Sequence, residues 1–270
     1  MIHISYSIQV EGSLPDTKLV TYIQEYSDQI GIDKRPLILL CPGGAYWHTS
    51  DREAEAMALQ FLAMGYHAAV LRYSCAPAKY PAALLEVATC VKLIREKAQE
   101  WHVDADKIFV QGCSAGGHLA ASYGMLWSED FVAEAVGAEN KECLRPNGMI
   151  LCYPVITFGE FAHRGSFENL LGEKEAELGE YLSLEKRVNA NTPKAFIWHT
   201  FEDEAVPVEN SLLLVGALRK AGIPTEFHMY PKGSHGLGLA NKLTSNAEGG
   251  AMQEECTSWI NLAHTWIEHF

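Results

Sequence analysis

Lys107-Ile108-Phe109-Val110-Gln111-Gly112-Cys113-Ser114-Ala115-Gly116-Gly117-His118-Leu119-Ala120-Ala121 runs from an apolar strand pattern, through Gly-Cys-Ser-Ala-Gly, into a helix of small residues. This is the strand, sharp turn and helix context in which a G-x-S-x-G sequence presents a nucleophilic serine. Gly112 and Gly116 stand where a side chain would collide with the tight turn or the neighbouring strand. Ser114 is then expected in a strained backbone position, its hydroxyl exposed above the first helical turn. The competing reading is a glycine-punctuated turn whose serine only caps the helix.

Outward from that stretch, apolar strand runs and helical patterns alternate. Residues 2–10 and 18–24 alternate apolar and polar side chains and predict an antiparallel edge pair. Leu37-Ile38-Leu39-Leu40-Cys41 is apolar throughout, as in a strand covered on both faces. The pattern predicts further strands over 66–73, 148–153, 193–199 and 225–230. It predicts helices over about 51–64, 82–100, 115–127, 208–221 and 249–269. Segment 154–192 carries turns, charges and only short apolar clusters, and reads as a small cap excursion over the sheet. The expected architecture is one α/β domain spanning 1–270, three layers around a mostly parallel sheet.

A chain of 270 residues, 48% hydrophobic and 20% charged, has the composition of a globular protein with a substantial core. It holds no apolar run of about 18 residues, the length of a membrane-spanning helix. Its first residues, Met1 to Ile8, read as a strand and not as a signal peptide. With 21 Lys and Arg against 34 Asp and Glu, the net charge of −13 disfavours nucleic acid and anionic membranes as partners. The seven cysteines form no C-x-x-C pair and no zinc-like spacing, which fits a reducing compartment. A cytoplasmic location is expected on these grounds.

Acyl transfer by serine needs a base, an acid that orients the base, and N–H groups aimed at the developing oxyanion. In parallel α/β sheets these come from loops beyond the carboxyl ends of strands. His235 lies in such a loop, Pro231-Lys232-Gly233-Ser234-His235-Gly236, as a candidate base; a surface histidine is the alternative. Asp203 follows strand 193–199 between Glu202 and Glu204, and local chemistry does not choose among the three acids. The chain order Ser114, Asp203, His235 is the one expected for this class. Ala115 N–H, beside the serine, is one candidate oxyanion donor. The other is Gly43 or Gly44, with Gly44 preferred, from Pro42-Gly43-Gly44-Ala45-Tyr46; each donor is worth on the order of 3 kcal/mol in the transition state. His118, His199 and His228 read as packing or hydrogen-bonding residues.

These motifs together resemble the α/β-hydrolase superfamily over nearly the whole chain. Within it they are similar to the esterase group that includes acetyl xylan and feruloyl esterases, and more distantly to hormone-sensitive-lipase-like and dipeptidyl-peptidase-like hydrolases. Gly112–Gly116 corresponds to the nucleophile motif, Asp203 with Val206-Pro207 to the acid loop, and Ser234-His235-Gly236 to the histidine loop. Ser50-Asp51-Arg52-Glu53 further resembles the carbohydrate-esterase members, and the resemblance selects Asp203 over its acidic neighbours. Pro42 and Ala45 depart from the lipase-like pattern, which has histidine and a third glycine there. Ser114 stands where the dienelactone-hydrolase group has cysteine.

The resemblance implies a cofactor-free serine esterase acting on small acyl esters of carbohydrates, acetylated xylo-oligosaccharides in particular. Tyr46, Trp47 and Tyr73 are expected to offer aromatic surfaces to the sugar. The alternatives are a broad small-ester carboxylesterase, an arylformamidase or peptidase-like hydrolase, and a non-catalytic binding protein on the same scaffold. Edge strands and helices leave self-association into a homo-oligomer open.

Overall fold

The computed structural model describes residues 1–270. In chain order its elements are β1 (Ser5–Ser7), β2 (Lys18–Tyr22), β3 (Arg35–Cys41), α1 (Glu55–Ala63), β4 (His67–Arg72), α2 (Ala82–Glu96), β5 (Val103–Cys113), α3 (Ala115–Leu126), α4 (Asp130–Ala135), β6 (Gly148–Cys152), α5 (Arg164–Leu171), α6 (Glu175–Leu178), β7 (Lys194–Thr200), α7 (Glu209–Ala221), β8 (Thr225–Tyr230) and α8 (Trp259–Glu268). The strands form one eight-stranded sheet in the order β1-β2-β4-β3-β5-β6-β7-β8. The β1–β2 and β2–β4 pairs are antiparallel and the others parallel.

The central strands read as apolar runs because both of their faces are covered, and their side chains divide with period two. Leu37, Leu39 and Cys41 of β3 join the apolar cluster under α2, α3 and α7, whereas Ile38 and Leu40 join the one under α1 and α8. Phe196 and Trp198 of β7 likewise face α8, where Trp198 stacks on Trp259 at 5.4 Å. This division makes the three layers.

Two predicted helices begin later than their patterns suggest. The 51–64 segment opens as a 3-10 turn (Asp51–Glu53) and breaks at Ala54, whose φ of −110° and ψ of −104° leave helical geometry, before α1 begins. The last helix starts at Trp259 and not near 249, because Gly249 has φ +78° and Asn246 closes a turn on Gly250 N–H at 2.6 Å. In segment 154–192, Val155, Ile156, Phe167, Leu170, Leu171, Leu182 and Leu184 are buried in the same cluster as α2 and α3.

Register aligns the ends that matter. Cys41 of β3 pairs with Gly112 of β5, and Cys113 pairs with Cys152 of β6, so residues 42–44, Ser114 and Tyr153 leave the sheet side by side. Thr200 of β7 pairs with Tyr230 of β8, which brings the loops carrying Asp203 and His235 together.

Candidate active site

At the end of β5 the chain reverses into α3 through Ser114, which has φ 54° and ψ −121°. A non-glycine residue there stores strain of order 1–3 kcal/mol. The turn closes because its flanks have no side chains: a Cβ on Gly112 would lie 2.0 Å from Gly116 O, and one on Gly116 would lie 2.0 Å from Cys41 O. Ser114 makes no capping bond to the helix. Its Oγ instead lies 2.7 Å from His235 Nε2.

His235 Nδ1 lies 2.6 Å from Asp203 Oδ2. A carboxylate only accepts, so Nδ1 carries the proton and the Nε2 lone pair faces the serine hydroxyl. Asp203 is fully engaged: Oδ1 accepts from Ala205 N–H (3.1 Å) and Val206 N–H (2.9 Å), and Oδ2 accepts from both His235 and His199. Burial alone would raise this carboxyl, but hydrogen bonds from His199 and His235, with the charge of His235, hold it well below the ordinary aspartate range. Glu202 and Glu204 are exposed and make no bond to His235.

His199 is a residue that its apolar strand position concealed. Its Nε2–H is shared between Asp203 Oδ2 (3.2 Å) and Val206 O (2.9 Å), while Nδ1 accepts from Ser211 Oγ–H at 2.8 Å. It holds the same carboxylate oxygen, Asp203 Oδ2, that His235 Nδ1–H binds.

The N–H of Ala115, first residue of α3, has no intrahelical acceptor. Gly44 N–H makes no bond within the protein. Gly43 departs from the expectation that it could serve as oxyanion donor: its N–H is taken by the buried Glu53 Oε2 at 2.8 Å.

Two of the three expected substrate aromatics are also corrected. Tyr46 is 2% exposed; positive φ at Ala45 (54°) and Tyr46 (57°) turns its ring inward, where its hydroxyl donates to His118 Nδ1 at 2.9 Å. Tyr73 is 4% exposed and donates to Pro42 O at 2.6 Å, supporting the glycine loop from beneath. Neither lines the cavity over Ser114. Trp47 is 68% exposed and lines the open cavity over Ser114, about 390 Å³, together with Gly44, His48, Arg52, His163 and His235. His163, absent from the sequence expectations, arrives from segment 154–192. A larger polar hollow around Asp33, Arg95 and His102 lies at the other end of the strands, away from Ser114.

A serine, histidine and aspartate joined above the carboxyl ends of a mostly parallel, helix-flanked sheet define the α/β-hydrolase class. Within that class the chain belongs to the BD-FAE family, whose model matches residues 24–218. It is similar to endo-1,4-beta-xylanase B of Butyrivibrio fibrisolvens, 38% identical over 243 residues, which cover 85% of this chain and 37% of that protein. It is also similar to the acetylxylan esterase of Xylanibacter ruminicola, 29% identical over 205 residues, 73% of this chain and 40% of the relative. The chain thus spans less than half the length of either relative. Among solved structures, the acetyl ester-xyloside bifunctional hydrolase from Caldicellulosiruptor lactoaceticus superposes with TM-score 0.80 at 38% identity, covering 94% of this chain and 88% of that one.

Proposed function

We propose that the chain is a serine carboxylic-ester hydrolase that removes small acyl groups, acetyl foremost, from carbohydrate esters such as acetylated xylo-oligosaccharides. The observation that carries this reading is the unbroken line from Ser114 Oγ to His235 to Asp203, 2.7 and 2.6 Å, beside unpartnered N–H groups at Gly44 and Ala115. His235 takes the Ser114 proton as Oγ attacks the ester carbonyl, and the tetrahedral oxyanion is held by Gly44 and Ala115 N–H. The imidazolium, balanced by Asp203, returns that proton to the departing alcohol. Water then repeats the sequence on the acyl-enzyme, releasing the acid and restoring Ser114. Every proton transfer is handled by the chain's own side chains.

The relatives named for acetylxylan and acetyl-xyloside chemistry favour an acetyl group on a xylose-based alcohol. The cavity supports a neutral sugar: Trp47 gives a flat apolar face, His163 a polar edge, and the adjoining groove carries Glu202 and Glu204, which repel an anionic substrate. Segment 154–192, which supplies His163, acts as the small cap of a single domain. No helix is long and apolar enough to cross a membrane. Seven free thiols, all but Cys143 buried, favour the reducing cytoplasm.

Ser114→Ala is expected to abolish fluorophosphonate labelling and to lower ester turnover by at least about 10⁴-fold. The panel that tests the substrate is acetylated xylobiose, 4-nitrophenyl acetate, a feruloyl ester and N-formylkynurenine. Labelling that persists in a folded Ser114→Ala protein refutes the nucleophile. Preference for N-formylkynurenine over every ester refutes the substrate class.

A further inference from the structure

Ser50-Asp51-Arg52-Glu53 takes no chemical part in the acyl transfer above, yet Glu53 is 3% exposed, and a buried carboxylate requires partners. We propose that Glu53 is the positioning residue of the oxyanion hole: by holding Gly43 N–H it directs Gly44 N–H toward the oxyanion. This rests on the ester-hydrolase reading.

The geometry is a pair of anchors on consecutive peptide planes. In the Pro42–Gly43 peptide, Tyr73 O–H donates to Pro42 O (2.6 Å) and Gly43 N–H donates to Glu53 Oε2 (2.8 Å). In the Gly43–Gly44 peptide, Gly43 O accepts from Ser50 N–H at 2.8 Å. A trans peptide points its C=O and N–H in opposite directions. Holding Gly43 O toward Ser50 therefore turns Gly44 N–H the other way, and this N–H is the unpartnered one in the cavity over Ser114. Glycine at 43 has no Cβ to restrict its dihedrals, so the loop depends on such external anchors for its direction.

The same turn reaches the other half of the site. Glu53 Oε1 accepts from Tyr153 O–H (2.7 Å), and the same Tyr153 hydroxyl oxygen (Oη) accepts from Gly238 N–H (2.8 Å), while the Tyr153 ring meets His235 edge-on at 5.1 Å. Arg52 donates to Gly236 O and Thr244 O, each at 2.7 Å, on either side of that loop. Adjacent residues of one 3-10 turn thus tie the oxyanion loop and the histidine loop to a common support. A carboxylate is suited to the first task because it accepts on two oxygens at once.

A residue that acts on the oxyanion donor affects the transition state and not the ground state. Glu53→Ala is expected to lower kcat for 4-nitrophenyl acetate about 100-fold with KM within about threefold. Affinity for phenylboronic acid, which forms a tetrahedral adduct on the serine, should fall by a similar factor. Glu53→Gln retains a carbonyl for Gly43 N–H and should recover kcat to within about tenfold of wild type. Thermal melting checks that each variant is folded. Should Glu53→Ala not fold, Glu53→Asp carries the test, since it keeps the charge but withdraws the acceptor by one methylene, and the same fall in kcat is expected. A folded variant with kcat within about threefold of wild type, a loss confined to KM, or a Gln variant as impaired as Ala overturns the proposal. Wild-type turnover is the control: its absence refutes the ester-hydrolase reading itself, whereas turnover indifferent to Glu53 refutes only the positioning role.

Discussion

The protons on two histidines decide what the cavity can do. Asp203 stays ionised because its two oxygens accept four donors, and its charge keeps the His235 proton on Nδ1, away from Ser114. His163 is arranged in the opposite sense. Its Nδ1 accepts from Ser166 N–H at 3.2 Å, so the neutral ring carries its proton on Nε2, which has no partner in the protein. Burial first, and then the charge of His235, lower the His163 pKa, so the ring remains a neutral donor at the cavity wall beside Trp47. A neutral donor next to an aromatic face suits a sugar hydroxyl, and one such hydrogen bond is worth about 0.5–1.5 kcal/mol. His163→Leu is therefore expected to raise KM for acetylated xylobiose about three- to tenfold, while kcat/KM for 4-nitrophenyl acetate, which has no sugar, stays within about twofold. Equal losses on the two substrates would assign His163 to support of the triad and remove it from sugar recognition.

The elements carrying the site depend on close backbone approach. At the elbow, α3 lies so near β3 that a Cβ on Gly116 would stand 2.0 Å from Cys41 O and 2.5 Å from Pro42 O, both backbone atoms that cannot swing aside. Gly116→Ala is expected to destabilise the fold by about 3 kcal/mol or more in urea denaturation; a loss under about 1 kcal/mol would show that the helix can shift. This element was legible in the sequence because a G-x-S-x-G turn needs glycine at both flanks, and the covered strands announce themselves as apolar runs. The burial of Tyr46 and Tyr73 is hidden from the sequence for a local reason. Their positions follow a glycine loop and a strand end, but their ring directions are set by positive φ at residues 45 and 46 and by the Pro42 carbonyl, neither of which leaves a pattern in the letters. Glu53 was hidden differently. An acidic residue at a predicted helix start is already explained by the helix dipole, and only the break at Ala54 reveals that its carboxylate belongs to the glycine loop. His199 lay inside an apolar strand, where a satisfied core histidine and a partner of the acid look alike.

At the scale of the molecule, stability and pH are linked through two buried histidines, His67 and His118, that take no part in the acyl transfer. His118 donates Nε2–H to Leu182 O and accepts Tyr46 O–H at Nδ1; His67 accepts Gln24 N–H and lies against His102 O. Burial lowers both rings to a pKa of about 4, with Arg35 adding to the effect at His67. Above about pH 6.5, the ordinary histidine value, both rings are neutral in folded and unfolded chains and stability does not change through them. Between about 6.5 and 4 the unfolded chain binds protons that the folded one refuses, so stability falls as pH falls, by up to about 1.4 kcal/mol per pH unit for each ring. Asp203 enters only below about pH 4, where the unfolded aspartate protonates while the folded one, held low by its hydrogen bonds, does not. The net charge of −13 works the other way, since protonating surface carboxylates below about pH 5 relieves repulsion. The window from about pH 6.5 to 5 therefore isolates the histidines. Thermal melting across it should show a falling Tm, and the double variant His67→Gln/His118→Gln, though less stable at pH 7, should show a flatter slope. An unchanged slope in that variant would mean that the buried rings are not the groups that couple this fold to acid.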